Sequence, residues 1–384
     1  MKKPFKKNLS GFVENKKLPI YNWLYYKEGF SAQLVIDLIE KFKLKKGGAI
    51  LDPFCGSGTT LLAAKEKGIN SVGFDVLNIA LFASVVKTRD YSKIIRELKA
   101  TLEELKNLPK TKEKIKIREK IILRAFPKRI LLELMGLKEK IKEIKNPIVR
   151  DFFMLCLINT ATKTSFAVKD GGCIKIDKKR ALPPAKYMFF KTAKKMIRDA
   201  EKGKFLPCKT EVYRQDARIF KLDENSIDCV ITSPPYLNKI EYTNVYFIEE
   251  YLFLKRQLNA PLRSFVGTNS SAGIADIEDE KLQKHLSEFA GKKYETQIAS
   301  YFVDTKKWLE NVYFCLKRNK YCTIIVGGGC FEWGIVESDV IIGLIAQDIG
   351  FEVIDIEPLK KIVCTKNRSI KIGVIKESLI VLKK

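Results

Sequence analysis

The pattern of apolar and polar residues along the first ninety positions predicts, in order, a helix, a strand, a glycine loop, a helix and a strand. Apolar residues recur at helical spacing over residues 30–42, and a Gly-Gly turn then leads into a short apolar run at residues 49–52. After a glycine-rich loop, a second helical pattern covers residues 59–67, and a strand pattern that ends in an acid covers residues 71–75. This order is typical of one half of a doubly wound nucleotide-binding sheet.

The rest of the chain divides into a mainly helical middle and a strand-rich end. Residues 87–205 show amphipathic helical spacing, as at 94–108 and 130–144, interrupted by prolines and a glycine pair. The later strand-like runs are 210–213, 216–218, 226–232, 321–326, 351–356, 370–375 and 378–382. We therefore predict an α/β fold with a Rossmann-like, seven-stranded sheet built from residues 1–86 and 206–384, and a helical insertion at residues 87–205.

The charge is strongly positive and unevenly distributed. Lysine and arginine number 71 against 45 aspartates and glutamates, a net charge of +26. Residues 87–205 alone carry 33 basic and 14 acidic side chains, a net charge of +19. A thermophile's surface, or ordinary solvated helix faces, would explain many charges but not their unequal sign. We therefore expect nucleic acid as the partner, bound through the basic insertion.

Histidine and cysteine are distributed in a way that argues against a metal centre. The chain has nine cysteines without a Cys-x-x-Cys pair and a single histidine, His285. Metal sites and histidine-based catalytic triads need more of these residues in closer spacing. The apolar runs are too short to cross a bilayer, so we expect no metal, no membrane and a cytoplasmic protein.

The loop after the first strand is the first candidate site. It reads Asp-Pro-Phe-Cys-Gly-Ser-Gly-Thr-Thr over residues 52–60. Gly56 and Gly58 allow a ligand to approach the backbone closely, and the loop directs amide donors toward the start of the next helix. A Walker phosphate loop is excluded because no Gly-Lys-Ser/Thr sequence follows.

The second candidate site is Ser-Pro-Pro-Tyr at residues 233–236, directly after the apolar run at 226–232. In this order, the two motifs resemble the signatures of S-adenosylmethionine-dependent amino-methyltransferases of the DNA N4-cytosine/N6-adenine type. The resemblance covers residues 20–86 and 206–384. It implies the class I methyltransferase sheet, S-adenosyl-L-methionine as the cofactor, and methylation of the exocyclic amino group of a nucleobase.

The resemblance assigns cofactor-binding roles to individual residues. In that family the glycine loop holds the methionine part of the cofactor, and Asp52 would face its ammonium group. Asp75 would accept hydrogen bonds from the ribose hydroxyls, and Asp216 stands where the family has an acid that contacts adenine. Two residues near position 30 match the upstream segment that completes the pocket. The cofactor-binding set that this implies is Phe30, Ser31, Asp52, Phe54, Gly56, Gly58, Thr59, Thr60, Asp75 and Asp216.

The predicted catalytic residues are Ser233, Pro234, Pro235 and Tyr236. An exocyclic amino nitrogen is a poor nucleophile because its lone pair is delocalised into the ring. Hydrogen-bond acceptors counter this, and we expect the Ser233 side chain and the Pro234 carbonyl to accept the two amino hydrogens from a backbone that the prolines hold fixed. Tyr236 offers a ring on which an extruded base could stack.

Serine at the first position of the motif is typical of cytosine-N4 enzymes, whereas Asp or Asn is more usual for adenine N6. We therefore expect a cytosine-N4-specific DNA methyltransferase of a restriction-modification system. An enzyme that methylates an exocyclic amine of ribosomal or transfer RNA is the rival, because the insertion lies where many DNA enzymes of this type do not place their recognition domain. A nucleic-acid-binding protein without turnover is the alternative from another class. A carbon-5 cytosine mechanism does not fit, because it needs a nucleophilic cysteine after proline in a matching motif, and Pro207-Cys208 is followed by Lys209.

Overall fold

The computed structural model describes residues 11–26, 29–106, 117–170, 172–237, 242–254, 273–366 and 370–384. The α-helices are α1 (Ala32–Lys41), α2 (Thr59–Glu66), α3 (Asn78–Thr88), α4 (Ile95–Lys106), α5 (Lys120–Ala125), α6 (Lys128–Glu143), α7 (Pro147–Lys163), α8 (Ala185–Lys202), α9 (Tyr242–Val245), α10 (Phe247–Phe253), α11 (Glu280–Leu286), α12 (Glu295–Cys315) and α13 (Ser338–Ile349). Short 3-10 turns occur at Glu14–Lys16, Tyr21–Trp23, Ile274–Asp276 and Ser287–Phe289. The strands are β1 (Ala49–Asp52), β2 (Asn70–Asp75), β3 (Ala167–Asp170), β4 (Cys173–Ile176), β5 (Thr210–Arg214), β6 (Ile227–Thr232), β7 (Leu316–Gly327), β8 (Gly329–Phe331), β9 (Gly334–Val336), β10 (Glu352–Lys366) and β11 (Ile370–Lys383).

Seven strands form one sheet in the order β10-β11-β7-β6-β1-β2-β5. Five neighbouring strands, β7, β6, β1, β2 and β5, are parallel to one another. Strand β11 runs antiparallel to β7, and β10 runs antiparallel to β11. The chain passes from β1 to β2 on one side and later returns to β6 on the other side of β1. Such a reversal leaves a crevice at the carboxyl ends of the strands. The predicted seven-stranded, Rossmann-like α/β fold is confirmed.

Local sequence explains why the helices around this crevice begin where they do. Ser31 has extended backbone geometry, and its side chain accepts a hydrogen bond from the Gln33 amide at 3.1 Å, which caps α1. Gly58 begins α2 from the left-handed region at φ +79°, where a residue without a Cβ atom is favoured. Asn146 caps α7, and a proline occupies the first turn of that helix, where it removes no helical hydrogen bond.

The strand prediction was wrong at two points. The runs at 370–375 and 378–382 form the single strand β11, because residues between them continue the ladder and Glu377 pairs with both Lys360 and Gly327. Residues 216–218 form a turn and not a strand. The insertion, predicted to be mainly helical, also contains the antiparallel hairpin β3–β4 at the position of the glycine pair.

The insertion shares its hydrophobic core with neighbouring parts of the chain. Phe152, Phe153 and Phe189 of α7 and α8 are fully buried in a cluster that also contains Trp23 from the N-terminal segment and Tyr246 from the end of α9. Helix α7 is apolar on all sides because α6, α8 and α3 pack around it. The boundaries of the insertion at residues 87 and 205 therefore stay a prediction, since its core extends beyond both. None of the helices in the described ranges is long and apolar enough to cross a membrane.

Candidate active site

The two sequence motifs meet because β1 and β6 are adjacent parallel strands, with Leu51 beside Val230. Their carboxyl ends lie side by side, and hydrogen bonds join them. The Thr232 hydroxyl donates to Oδ1 of Asp52 at 2.7 Å, and the Thr60 hydroxyl donates to the Ile231 carbonyl at 3.3 Å. The cofactor loop and the strand before Ser-Pro-Pro-Tyr thus form one connected unit.

A cavity opens at this point, and both motifs contribute to its walls. Its described lining residues are Tyr26, Gly29, Phe30, Pro53, Phe54, Cys55, Gly56, Ser57, Thr59, Asp75, Val76, Leu77, Gln215, Ala217, Ser233 and Pro235. The lining is mostly apolar, with one carboxylate and a few polar groups. Such a composition is typical of sites for small organic cofactors.

Asp52 is a buried carboxylate with an incomplete set of hydrogen bonds. Its Oδ1 atom accepts from the Thr232 hydroxyl and from the Phe54 amide, whereas Oδ2 has no hydrogen-bond partner among the described residues. Burial raises the pKa of this carboxyl to about 6, although the hydrogen bond from Thr232 opposes the shift. A cation placed beside Oδ2 would supply the missing partner and restore full ionisation.

Asp75 ends β2 at the rim of the same cavity. Its carboxylate accepts hydrogen bonds from the Gly56 amide at 2.9 Å and from the Val76 and Leu77 amides at 2.8 and 2.9 Å. Burial raises the pKa of this carboxyl to about 6, while the three amides act in the opposite direction. The amides fix the orientation of the carboxylate, which suits it to accept further hydrogen bonds from a ligand.

Neither glycine of the loop could carry a side chain without a steric clash, because other protein atoms lie close to both. At Gly56, where φ is +51°, a Cβ atom would lie 2.8 Å from the ring of Tyr26. At Gly58, a Cβ atom would lie 2.8 Å from the hydroxyl of Ser84. That hydroxyl donates to the Gly56 carbonyl at 2.7 Å, so the loop is held against α3.

Sequence reasoning missed Lys87, which stabilises the loop from below. Its side chain is only 1% exposed, and Nζ donates to both the carbonyl and the hydroxyl of Ser57 at 3.1 Å. Burial lowers the pKa of this amine to about 7. A lysine inside the apolar run of α3 was the available signal, because a lysine facing a core needs a specific partner.

The other predicted cofactor residues divide into those at the cavity and those behind it. Phe30, Phe54 and Thr59 line the cavity. Ser31 and Thr60 are buried and lie behind it, where Ser31 caps α1 and Thr60 bonds to β6.

Asp216 is paired with a neighbour and does not line the cavity in this structure. Its carboxylate accepts from Nε of Arg218 at 3.0 Å, and the same guanidinium donates to Asp304 at 2.8 Å. The adjacent Gln215 and Ala217 line the cavity instead. A direct contact of Asp216 with adenine stays a prediction.

The Ser-Pro-Pro-Tyr segment is held by three hydrogen bonds that the sequence did not indicate. The Tyr236 hydroxyl donates to Oε1 of Glu377 at 2.7 Å, and the Ser233 hydroxyl lies 3.4 Å from the Tyr236 oxygen, to which it donates. The Tyr301 hydroxyl donates to the Pro235 carbonyl at 2.9 Å. This arrangement directs the hydroxyl hydrogen of Ser233 toward Tyr236 and leaves its lone pairs available as acceptors.

The fold and the two motifs define a nucleotide-cofactor site of the methyltransferase kind, and comparisons with known proteins agree. Residues 5–81 match the family model described as DNA methylase. The Type II methyltransferase M.BsoBI of Geobacillus stearothermophilus is 33% identical over 278 residues, which cover 64% of this chain and 55% of that protein. The alignment thus spans about half the length of that relative.

A second relative aligns over more of both chains. The Type II methyltransferase M.AvaI of a Nostoc strain is 23% identical over 411 residues, covering 90% of this chain and 82% of that protein. A solved structure of an S-adenosylmethionine-dependent methyltransferase from Aquifex aeolicus covers 92% of this chain and 99% of its own at 10% identity, with a TM-score of 0.31. The sequence matches confirm the resemblance to amino-methyltransferases of the DNA N4-cytosine/N6-adenine type.

S-adenosylmethionine is the cofactor that this family implies, and the residues present fit it. The unpartnered Oδ2 of Asp52 suits an ammonium group, and Gly56 lines the cavity, whereas Asp52 and Gly58 are not among its described lining residues. Asp75 is oriented to accept from hydroxyl groups. In the described residues, no group of three or more His, Cys, Asp or Glu side chains is arranged to hold a metal ion.

Proposed function

We propose that this protein is a DNA methyltransferase that modifies an exocyclic amino group, with cytosine N4 as the most fitting target and a role in restriction-modification. The observation that carries the proposal is the shared cavity. Ser233 and Pro235 of the second motif face the same space as Phe54 and Gly56 of the first, and Asp75 at the end of β2 faces it too. A base held at Ser233 would therefore lie beside the bound cofactor.

When bound, S-adenosylmethionine supplies a methyl group made electrophilic by the positively charged sulfur. The protein's part is to orient the amino group. Ser233 accepts one amino hydrogen, because its own hydrogen is directed at Tyr236 and the Tyr236 hydrogen at Glu377. The Pro234 carbonyl accepts the other. The Ser233 acceptor is set before the base arrives, and preorganised groups of this kind lower a barrier more than flexible ones do.

The substrate and the target atom rest on separate arguments. DNA is supported by the description of the matching family model and by the net charge of +26, which favours a polyanion. Cytosine N4 is supported by serine, and not an acid or an amide, at the first position of the motif. A neutral serine accepts the amino hydrogens without adding a charge to the pocket.

Transfer of radiolabelled methyl from S-adenosylmethionine tests the proposal. Duplex DNA, unmodified ribosomal RNA and transfer RNA are offered in parallel, and the labelled nucleosides are identified by mass. We expect N4-methylcytosine in DNA. N6-methyladenine in DNA would overturn cytosine N4 as the target but support a DNA amino-methyltransferase. Label in RNA alone would overturn DNA as the substrate. Cofactor binding without any methyl transfer would overturn the proposal that the protein is an enzyme.

Ser233→Ala should lower the rate of transfer by about a hundredfold, as loss of one preorganised hydrogen-bonding group does elsewhere, while cofactor binding is kept. Ser287→Ala is the matched control, because Ser287 is exposed, bonds only to its own turn in the described structure and lines neither motif. Equal rates for the two variants would remove Ser233 from the proposed mechanism.

A further inference from the structure

A second cavity, of about 490 Å³, lies between the insertion and the segment that follows the Ser-Pro-Pro-Tyr motif. Its walls come from the end of α7, the β3–β4 hairpin and the α9–α10 segment. The described lining residues are Tyr25, Phe126, Ala161, Thr162, Ser165, Ala167, Val168, Lys169, Ile174, Asp177, Arg180, Val245, Ile248 and Glu249. None of these residues lines the cofactor cavity. The two cavities are therefore separate sites.

The polar groups of this second cavity form an incomplete pair. Nζ of Lys169 lies 2.7 Å from Oε1 of Glu249, and the side chains of both residues are largely buried, at 14% and 5% exposure. The other carboxylate oxygen, Oε2, is buried without a hydrogen-bond partner among the described residues. A desolvated carboxylate oxygen is costly unless a donor reaches it. The other lining residues include the polar Thr162, Ser165, Asp177 and Arg180, but none of the described residues donates to Oε2, and a ligand with a donor would complete its hydrogen bonding.

We infer that this cavity binds an unstacked nucleobase of the nucleic acid, whose pairing edge meets Glu249 and Lys169. The inference rests on the proposed function, in which nucleic acid is the substrate. Every base has a hydrogen-bond donor beside an acceptor on its pairing edge, and enzymes read extruded bases along that edge. Glu249 supplies the acceptor and Lys169 the neighbouring donor. The apolar and aromatic side chains, among them Tyr25 and Phe126, cover the faces of the ring.

The rim of the second cavity carries positive charge, which suits the phosphate backbone of a nucleic acid strand. Lys178 and Lys179 are exposed directly after β4, and Arg180 lies at the cavity itself. The Arg180 guanidinium donates to the Ala167 carbonyl at 2.9 Å, which holds the side chain beside the opening. Lysine and arginine at such positions bind phosphate and set the register of the strand. The base would enter while its phosphates stay at this rim.

A chain of contacts connects this cavity with the cofactor site. Nζ of Lys169 lies 3.6 Å from the ring centre of Tyr246, and that ring stacks on Tyr26 with centroids 5.0 Å apart. Tyr26 in turn lies over Gly56 and lines the cofactor cavity. An occupant at Lys169 is thus three contacts from the cofactor loop, close enough for both sites to engage one nucleic acid molecule.

Binding of a mixed-sequence, single-stranded DNA 12-mer, with and without abasic substitutions, tests the inference. Both oligonucleotides carry the same phosphates, so the ratio of their affinities isolates the contribution of bases. We expect the full-length protein to favour the base-containing strand about tenfold or more, as expected for base stacking and edge contacts. Glu249→Gln should abolish most of that preference, and the exposed Glu103→Gln on α4 should keep it.

Photocrosslinking locates the base. The same 12-mer carrying 4-thiothymidine should crosslink to peptides that contain Tyr25 or Phe126, and Thr162→Trp, which fills the cavity from α7, should remove those crosslinks. S-adenosylmethionine affinity, measured on every variant, reports the integrity of the fold. If Glu249→Gln does not fold, the result for Thr162→Trp decides the test. Binding without base preference, or crosslinks only elsewhere, would overturn the second site and leave the proposed function intact. Failure of the wild-type protein to bind any nucleic acid would overturn both.

Discussion

Replacement of Lys87 by methionine gives a quantitative test of the buried amine beneath the cofactor loop. Methionine matches the length of lysine but carries no proton. The pKa of Lys87 is lowered by burial to about 7, whereas an unfolded chain holds a lysine pKa of roughly 10.4. Between these two values the unfolded state binds more protons than the folded state, so the free energy of unfolding of the wild-type protein must rise with pH.

The magnitude follows from the two pKa values. Within the window the slope approaches about 1.4 kcal/mol per pH unit, and below pH 6 it vanishes because both states are protonated. From pH 6 to pH 9, the wild-type protein should gain about 2 to 3 kcal/mol relative to Lys87→Met. At all pH values, the variant also loses the two hydrogen bonds to Ser57, a constant cost on the order of 1 to 3 kcal/mol.

Urea unfolding followed by tryptophan fluorescence, repeated at several pH values, measures the difference between the two proteins. Other titrating groups cancel in this difference, because they are present in both. Lys194→Met is the matched control, since Lys194 is exposed on α8, and its difference from wild type should stay flat. If the difference in unfolding free energy between wild type and Lys87→Met also changes by less than about 0.5 kcal/mol over this pH range, the lowered pKa of the buried amine is refuted.

Three further outcomes concern the cofactor and catalytic sites. Gly56→Ala should weaken S-adenosylmethionine binding at least tenfold, because the new Cβ atom would lie 2.8 Å from the ring of Tyr26. Gly47→Ala should not weaken it, because Gly47 also has a positive φ but has open space around it. Calorimetry measures the affinity of both variants. Cofactor affinity should fall as pH drops from 7.5 to 5, by about tenfold for each of Asp52 and Asp75, because both carboxyls have a pKa of about 6 and bind best when ionised. Under the proposed mechanism, Glu377→Gln should lower the rate of methyl transfer and leave cofactor affinity unchanged, since the Glu377 carboxylate orients Tyr236 beside Ser233.

Each of these outcomes has a clear contrary result. Equal weakening by the two glycine variants would mean that backbone strain, and not the lost space, controls binding. A cofactor affinity that does not change with pH would mean that the two carboxyls are already ionised in the free protein. A fall in cofactor affinity for the Glu377 variant would assign that residue to the structure of the whole site.

The sequence predicted those parts of the site that depend on neighbouring residues. The strand at residues 49–52, the glycine loop and the helix at residues 59–67 are set by local signals, and each lies within a residue or two of its predicted place. The sequence also placed each motif directly after a strand-like run, and the carboxyl ends of parallel strands lie at one edge of such a sheet.

Contacts between distant residues explain what the sequence did not show. Glu377 lies 141 residues from Tyr236, and Tyr301 lies 66 residues from Pro235. Both contacts depend on the fold, because β11 pairs with β7, β7 pairs with β6, and α12 packs against β7. Arg218 is close to Asp216 in sequence, but its second partner, Asp304, is 86 residues away. No periodicity or spacing encodes such pairs.

The place of the insertion explains how a large basic element can be added without disturbing the cofactor site. It connects α3 to β5, which pairs with β2 at the edge of the sheet, whereas the cofactor crevice lies between β1 and β6. The length of a connection at that edge is free to vary, since it does not alter the register of β1 and β6. The insertion nevertheless packs on the N-terminal segment, and its Lys169 lies over the ring of Tyr246, which stacks on Tyr26. Under the proposed function, nucleic acid bound to the insertion at Lys169 would thus be connected to Tyr26, which lines the cofactor cavity.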